Sequence, residues 1–266
     1  MPLWLYEMKP LLAGLTMVVF IETAAMIGLF LCRRFLLPRL RYHEGVSDAV
    51  SGTVQAIGVF YGITVGLIAV GVWNTNSSAS DLVSQEASSI GSLYRDVSGY
   101  PEPMKTELQA KLREYTVFII ETAWPAQKAG RGQQLESGRT IMDQFQAKLY
   151  SFEPATPGQV ALHGETLSAY NQLIQYRRLR IDAVDNELSG VMWAVIWVGA
   201  VLSIGVAYFY KIEDWRLHWI LIAMMSGFLA MLLFMIVIND RPFYGQVGVS
   251  SDPYKLILER VIDLSK

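Results

Sequence analysis

The chain has 266 residues, 52 per cent of them hydrophobic, with a formal net charge of −2, three histidines and one cysteine. The near-neutral balance leaves no basic footprint, so no nucleic-acid partner is expected, and the lone Cys32 excludes an intrachain disulfide framework. A mean hydropathy of +0.30 is high for a soluble globular chain and suits one partly immersed in lipid.

The apolar surplus is localised. Between Pro10 and Arg33 lie 22 residues with one charge, Glu22; no Asp, Glu, Lys or Arg occurs between Asp48 and Asp81; Leu188–Tyr210 and Leu217–Asn239 are uncharged runs of 23 residues each. Crossing about 30 Å of hydrocarbon takes roughly 20 helical residues. Four transmembrane helices are expected. The first should be retained rather than cleaved as a signal peptide, because its apolar run exceeds the ~7–15 residues of such a segment and no A-x-A site follows.

On that first helix, in VVFIETAAMIG, Glu22 stands near mid-span. An ionised acid there costs at least ~2.5 kcal/mol, so it should face protein or water. It is read either as a station on an ion or proton path, or as a protonated acid hydrogen-bonded to a hydroxyl at equal depth, Tyr61 or Thr64.

The second helix contains GVFYGITVGLIAVGVWNTN, with Gly58, Gly62 and Gly66 at every fourth residue. Small residues at this spacing let backbones approach, so the face predicts a packing seam against the first helix or a neighbouring subunit. The opposite face carries Thr53, Ile57, Phe60, Thr64, Leu67, Gly71 and Thr75, hydroxyls with a bulky apolar girdle between them. Repeated around a symmetry axis, such a face lines a narrow pore with a dewetting constriction. Glu44 and Asp48 precede this helix, Asp81 and Glu86 follow its far end, and no Lys or Arg occurs from Tyr42 to Tyr94. Carboxylates at both mouths would favour cations; the alternative reading makes the four acids solvated helix-end residues, Glu44 and Asp48 favoured by the helix dipole.

Beyond Ser77 the positions Val83, Ala87, Ile90, Tyr94 and Val97 step at helical spacing, so the helix should continue out of the apolar run. GYPEP ends it; Leu108, Leu112, Tyr115, Ile119 and Thr122 mark a second helix that stops near Trp124-Pro125. After the loop AQKAGRGQQ, a third carries Ile141, Met142, Phe145 and Leu149, and a fourth begins with Thr156 as cap and Pro157 at its first position, running on through Tyr170, Ile181 and Leu188. No strand alternation interrupts this pattern. The expected class is an all-α integral membrane protein with domains at 1–74 (helices 1 and 2), 75–189 (a helical extramembrane domain), 190–239 (helices 3 and 4) and 240–266 (a C-terminal tail). Arg33, Arg34, Arg39, Arg41, Lys211 and Arg216 draw the short loops to the cytoplasm, while Arg177, Arg178 and Arg180 draw the helical domain the same way.

His43, His163 and His218 have no partner at metal-ligand spacing, and neither a nucleophile elbow nor a phosphate-binding glycine loop occurs. No metal, cofactor or enzymatic activity is expected.

The elements EGVSDAVSGTVQAIGVFYGITVGLIAVGVW, SQEASSIGSLYRDV, QYRRLRI and NDRPFYGQVGV resemble the bacterial bestrophin-like membrane proteins, a family of unassigned function, most clearly over residues 40–250. The resemblance implies four spans with the helical domain between the second and third. It also suggests a more distant likeness to true bestrophins, oligomeric channels with an apolar neck on the second transmembrane helix and a cytosolic domain; Ile57 and Phe60 match that neck in position and chemistry. The leading expectation is a homo-oligomeric, cation-selective channel in the inner membrane of the cell, acting on inorganic ions and surrounded by lipid. The alternatives are a bestrophin-like anion channel and a membrane-anchored sensor or scaffold. A carrier is weaker, since no inverted repeat is evident.

Overall fold

The computed structural model describes residues 4–40, 46–130, 136–210 and 212–264, and among them it is helical with no strand. Among the described residues four helices are long and apolar enough to cross a membrane. The chain divides into two units, Met1–Asn74 with Glu187–Asp240, and Thr75–Asn186 with Arg241–Lys266.

The first unit begins with the single turn α1 (Trp4–Glu7) and with α2 (Pro10–Leu31), which opens on a proline where a missing N–H costs nothing. A π turn (Cys32–Leu36) and a 3₁₀ turn (Leu37–Arg39) end it. The buried ridge of α2 is Ala13, Met17, Ile21, Ala25 and Leu29, at every fourth position. It lies along α9 (Trp215–Asp240). Gly14 meets the Phe234 ring, Glu22 meets Gly227 and Arg33 meets His218, so the two helices run antiparallel. The first half of α3 (Val46–Val97) buries Tyr61, Val65, Ala69 and Val72. Tyr61 presses one edge of its ring on Gly199 of α8 (Gly190–Ala207), leaving no room for a Cβ there, and its hydroxyl donates to the Ile196 carbonyl at 3.0 Å. At the other end of α8, Ser189 caps the helix by accepting from the Met192 N–H at 3.3 Å, and Asp240 accepts from the Leu188 N–H at 2.7 Å.

The second unit is the distal half of α3 with α4 (Met104–Phe118), α5 (Trp124–Lys128), α6 (Glu136–Tyr150), α7 (Pro157–Val184) and α10 (Asp252–Ile257). Its core joins Val83, Ile90, Leu93 and Val97 of α3 to Leu108 and Leu112 of α4 and to Met142, Phe145 and Leu149 of α6. As its sequence indicates, α7 starts with Thr156 accepting from the Gln159 N–H at 3.2 Å and with Pro157 in the first turn.

Three expectations need correction. The second helix of this unit does not stop at Trp124: a π turn (Ile119–Ala123) inserts an extra residue between α4 and α5, so Thr122 turns outward and Ala123 and Trp124 take the buried positions. The helix α7 ends at Val184 rather than reaching Leu188, whose N–H is held by Asp240. Residues from 240 are no tail. Phe243, Tyr254 and Ile262 are buried in the core of the second unit, and Gly245, at φ +74°, turns its N–H to the Lys128 carbonyl at 3.2 Å.

The contact of Tyr61 with Gly199 yields a test. Gly199→Leu should undock α3 from α8 and lower stability by about 1–3 kcal/mol, the usual cost of overpacking, read as a lower melting temperature of the detergent-solubilised protein; an unchanged melt would show the two helices to be independent.

Candidate functional site

The sequence directs attention to α3, and in one chain this helix is the least covered of the four. Only 22 % of its most apolar window is buried, against 44 % in α9. Phe60 is 72 % and Leu67 70 % exposed; Thr53 and Gly71 are exposed; Ile57, Thr64 and Thr75 are half-buried. The Thr53 hydroxyl donates to the Ala49 carbonyl and that of Thr64 to the Phe60 carbonyl, both at 2.8 Å. Each hydroxyl proton is thereby used within the helix, and what the face presents is acceptor lone pairs between bulky apolar rings.

The glycines behave differently from the expectation of a seam with the first helix. A Cβ added at Gly58, Gly62 or Gly66 would meet nothing within 4 Å. The ridge of α2 is occupied by α9, and α3 docks through Tyr61 on α8, so within the chain the glycine face has no helix against it.

The acids separate as well. Asp48 and Asp81 are exposed on α3, and Glu44 lies outside the described residues. At about 100° per residue, Asp48 is turned about 140° from Thr53, and Asp81 about 120° from Thr75, so neither continues the threonine face. Glu86 is 0 % exposed and must be withdrawn from the set of ion-facing acids. Its carboxylate accepts from Arg180 Nε at 2.5 Å, from the Tyr115 hydroxyl at 2.7 Å and from the Tyr254 hydroxyl at 3.0 Å. Arg180, 2 % exposed, also lies over the Trp124 ring at 5.9 Å. A buried charge persists only when paired and hydrogen-bonded, and here three elements besides α3 supply the partners. Burial and the Glu86 charge push the Tyr115 and Tyr254 phenols well above their ordinary range, so both remain donors. Burial pulls the Arg180 guanidinium down, but Glu86 and the two tyrosines more than offset it and hold it protonated. The cluster was readable in part: Glu86 falls three residues after Val83 and four before Ile90, on the buried stripe.

Glu22 is half-buried and turned to α9, its Oε1 close enough to Gly227 that a Cβ there would stand 2.8 Å away. It faces protein, as the cost of burying an acid in lipid demands. The expected hydroxyls are engaged elsewhere as donors, Tyr61 to Ile196 and Thr64 to Phe60, and the Glu22 carboxyl is turned to α9. No group of three or more His, Cys, Asp or Glu that could hold a metal ion occurs among the described residues.

The family model of the bestrophin-like domain matches residues 19–254. The chain belongs to the bestrophin-like family. No curated protein and no solved structure matches it. The bestrophin-like match takes in all of α3 and every member of the Glu86 cluster, from Glu86 itself to Tyr254 at its last residue. At a coarse level it places the protein with channel-type membrane proteins.

Two outcomes follow for the cluster. Glu86→Gln keeps the shape but strands the Arg180 charge, and should cost about 3–5 kcal/mol of stability, measured by denaturant or thermal melting; Glu86→Leu combined with Arg180→Met should recover much of it. Because Tyr115 and Tyr254 titrate higher when folded than the ordinary phenol value of about 10, they stabilise the fold fully below that pH and progressively less as pH rises above it. Tyr254→Phe should therefore flatten the loss of stability between about pH 10 and 12, and an identical alkaline profile in wild type and variant would exclude this role.

Proposed function

We propose that the protein is the subunit of a homo-oligomeric ion channel of the inner membrane, with α3 lining the pore and the unit Thr75–Asn186 with Arg241–Lys266 outside the bilayer. The observation that carries this is the uncovered face of α3. Thr53, Phe60 and Gly71 are exposed in one chain and Ile57 and Thr64 are only half-buried, and four spans are too few to enclose a hydrated path, so symmetry supplies the remaining walls. The open glycine face of the same helix allows a neighbouring copy to approach closely. Ile57 and Phe60 form the apolar constriction in this arrangement.

Replacing both Ile57 and Phe60 by alanine removes bulk from the dry zone and should raise ion flux in liposomes several-fold while the oligomer stays intact. Unchanged flux in an assembled double variant would remove these residues from the neck.

The ion sign is proposed from the same helix. Asp48 and Asp81 stand off the threonine face but are exposed towards the two ends of its apolar run, and no Lys or Arg occurs between Tyr42 and Tyr94, so the charge about both mouths is acidic, which favours cations. The withdrawal of Glu86 into its ion pair takes away one acid from that count and favours the second reading, an anion channel. Reconstituted protein under a salt gradient should give a reversal potential on the cation side, and Asp81→Asn should move it towards zero; a chloride-side potential in the wild type establishes the anion reading instead.

A further inference from the structure

The membrane unit carries a second uncovered feature, remote in kind from the α3 face: a groove of about 430 Å³ between α2 and α8 with α9 as its floor. Its walls are Phe20, Ala24 and Gly28 on α2 and Trp197 and Gly205 on α8, over Leu229 of α9. Phe20 and Trp197 line one end and Gly28 and Tyr208 the other, so the two walls run parallel. At that second end the Tyr208 ring lies against Gly28 and its hydroxyl donates to the Ala25 carbonyl at 2.8 Å, which ties the two walls together beneath the arginines that follow.

The depth of the groove suits one occupant. From Phe20 to Gly28 it runs about 12 Å along α2, while α2 as a whole is about 33 Å long. Phe20 is near mid-span, where a smaller hollow of about 250 Å³ begins on the far side of Phe20 and Trp197. The larger groove therefore covers roughly one leaflet of a hydrocarbon core about 30 Å thick. A helix from a second copy would need a channel through both leaflets, whereas an acyl chain needs one.

Charge at the mouth adds a headgroup. Arg33 and Arg34 follow Gly28 by little more than a turn, and Arg216 opens the antiparallel α9 at the same end. None of the three has a carboxylate within ion-pair distance among the described residues; Asp214 is engaged by the Arg216 backbone N–H at 2.8 Å. Arg33 is held in place by His218. A guanidinium only donates, so Arg33 Nη1 donates to His218 Nδ1 at 3.2 Å, which leaves the proton on Nε2 to donate to the Ala207 carbonyl at 3.3 Å. One buried ring thus ties the ends of α2, α8 and α9 together beside the mouth. Trp215, Trp219 and Tyr208 stand at the same level, the aromatic band expected at a membrane interface.

We propose that this groove is a binding site for an anionic phospholipid, one acyl chain lying between α2 and α8 and the phosphate-bearing headgroup meeting Arg33 and Arg34. The test uses the full-length protein in detergent, stripped of lipid, with dioleoyl phosphatidylglycerol and dioleoyl phosphatidylcholine as probes and native mass spectrometry as readout. Phosphatidylglycerol should bind more tightly by about fivefold for each arginine that meets it. Arg34→Gln, which spares the bond to His218, should remove about fivefold of that preference and leave phosphatidylcholine unaffected. A Cβ at Gly205 meets open space, so Gly205→Leu fills the groove without collision and should abolish retention of both lipids; Ala24→Leu on the facing wall makes the same test should the first variant fail to assemble. Equal retention of the two lipids, or undiminished retention in an assembled groove-filling variant, would overturn the proposal. So would loss of the oligomer without loss of lipid, which assigns the groove to a second copy, or competition by glycerol phosphate, which assigns the arginines to a soluble anion.

Discussion

A carboxylate with no access to water must find its counter-charge and its hydrogen-bond donors inside the protein, and the second unit is arranged around that demand. Glu86 on α3 receives Arg180 from α7, Tyr115 from α4 and Tyr254 from α10, so one buried charge specifies where four helices stand. The apolar residues around it, Val83, Ile90, Leu112 and Phe145, supply most of the burial but little direction. The ion pair supplies direction: no sliding or rotation of these helices keeps all three donors on one carboxylate. In the membrane unit the buried Asp240 fixes only the entry to α8, through the Leu188 N–H, and much of the remaining position is set by shape, with Tyr61 on Gly199 and Phe234 on Gly14.

The spans were legible because a run of 22 or more residues with one charge or none has few other uses, and the helices of the second unit because their apolar residues recur at three and four. The start of α7 could be read from Thr156-Pro157, since a cap and a helix-initiating proline act locally. What escaped depends on contacts between distant parts of the chain. The acid count on α3 treated Glu86 as exposed, and only Arg180, 94 residues later, explains its burial. The glycine face was legible as a face, but its covering could not be read, because spacing alone does not say which helix arrives. The partner of Glu22 was sought among hydroxyls on α3; the bundle turned it to Gly227 on α9 instead, since a glycine leaves room for a carboxylate where a larger residue would not.

Family membership and physical reading meet at α3. The bestrophin-like match embraces both the half of the helix left open in one chain and the half anchored by Glu86. A helix bare on two faces in lipid is in no danger, because lipid tails solvate leucine and phenylalanine as readily as another helix does. Its threonines and glycines, rather than its apolar bulk, are therefore what require an explanation, and the assembly proposed above accounts for both.

The helical unit is made from two stretches of chain, Thr75–Asn186 and Arg241–Lys266, with α8 and α9 between them. During synthesis the Glu86 carboxylate and Arg180 emerge long before the Tyr254 hydroxyl that completes their hydrogen bonding. A nascent chain halted after α7 carries a charged pair short of a donor and a core lacking Phe243, Tyr254 and Ile262. Completion of the unit is thus deferred until the last two apolar helices have been made, and a chain in which they fail to insert should present an unfinished, sticky core to chaperones and proteases. The order of the segments along the polypeptide makes the folding of the helical unit wait for the end of the chain.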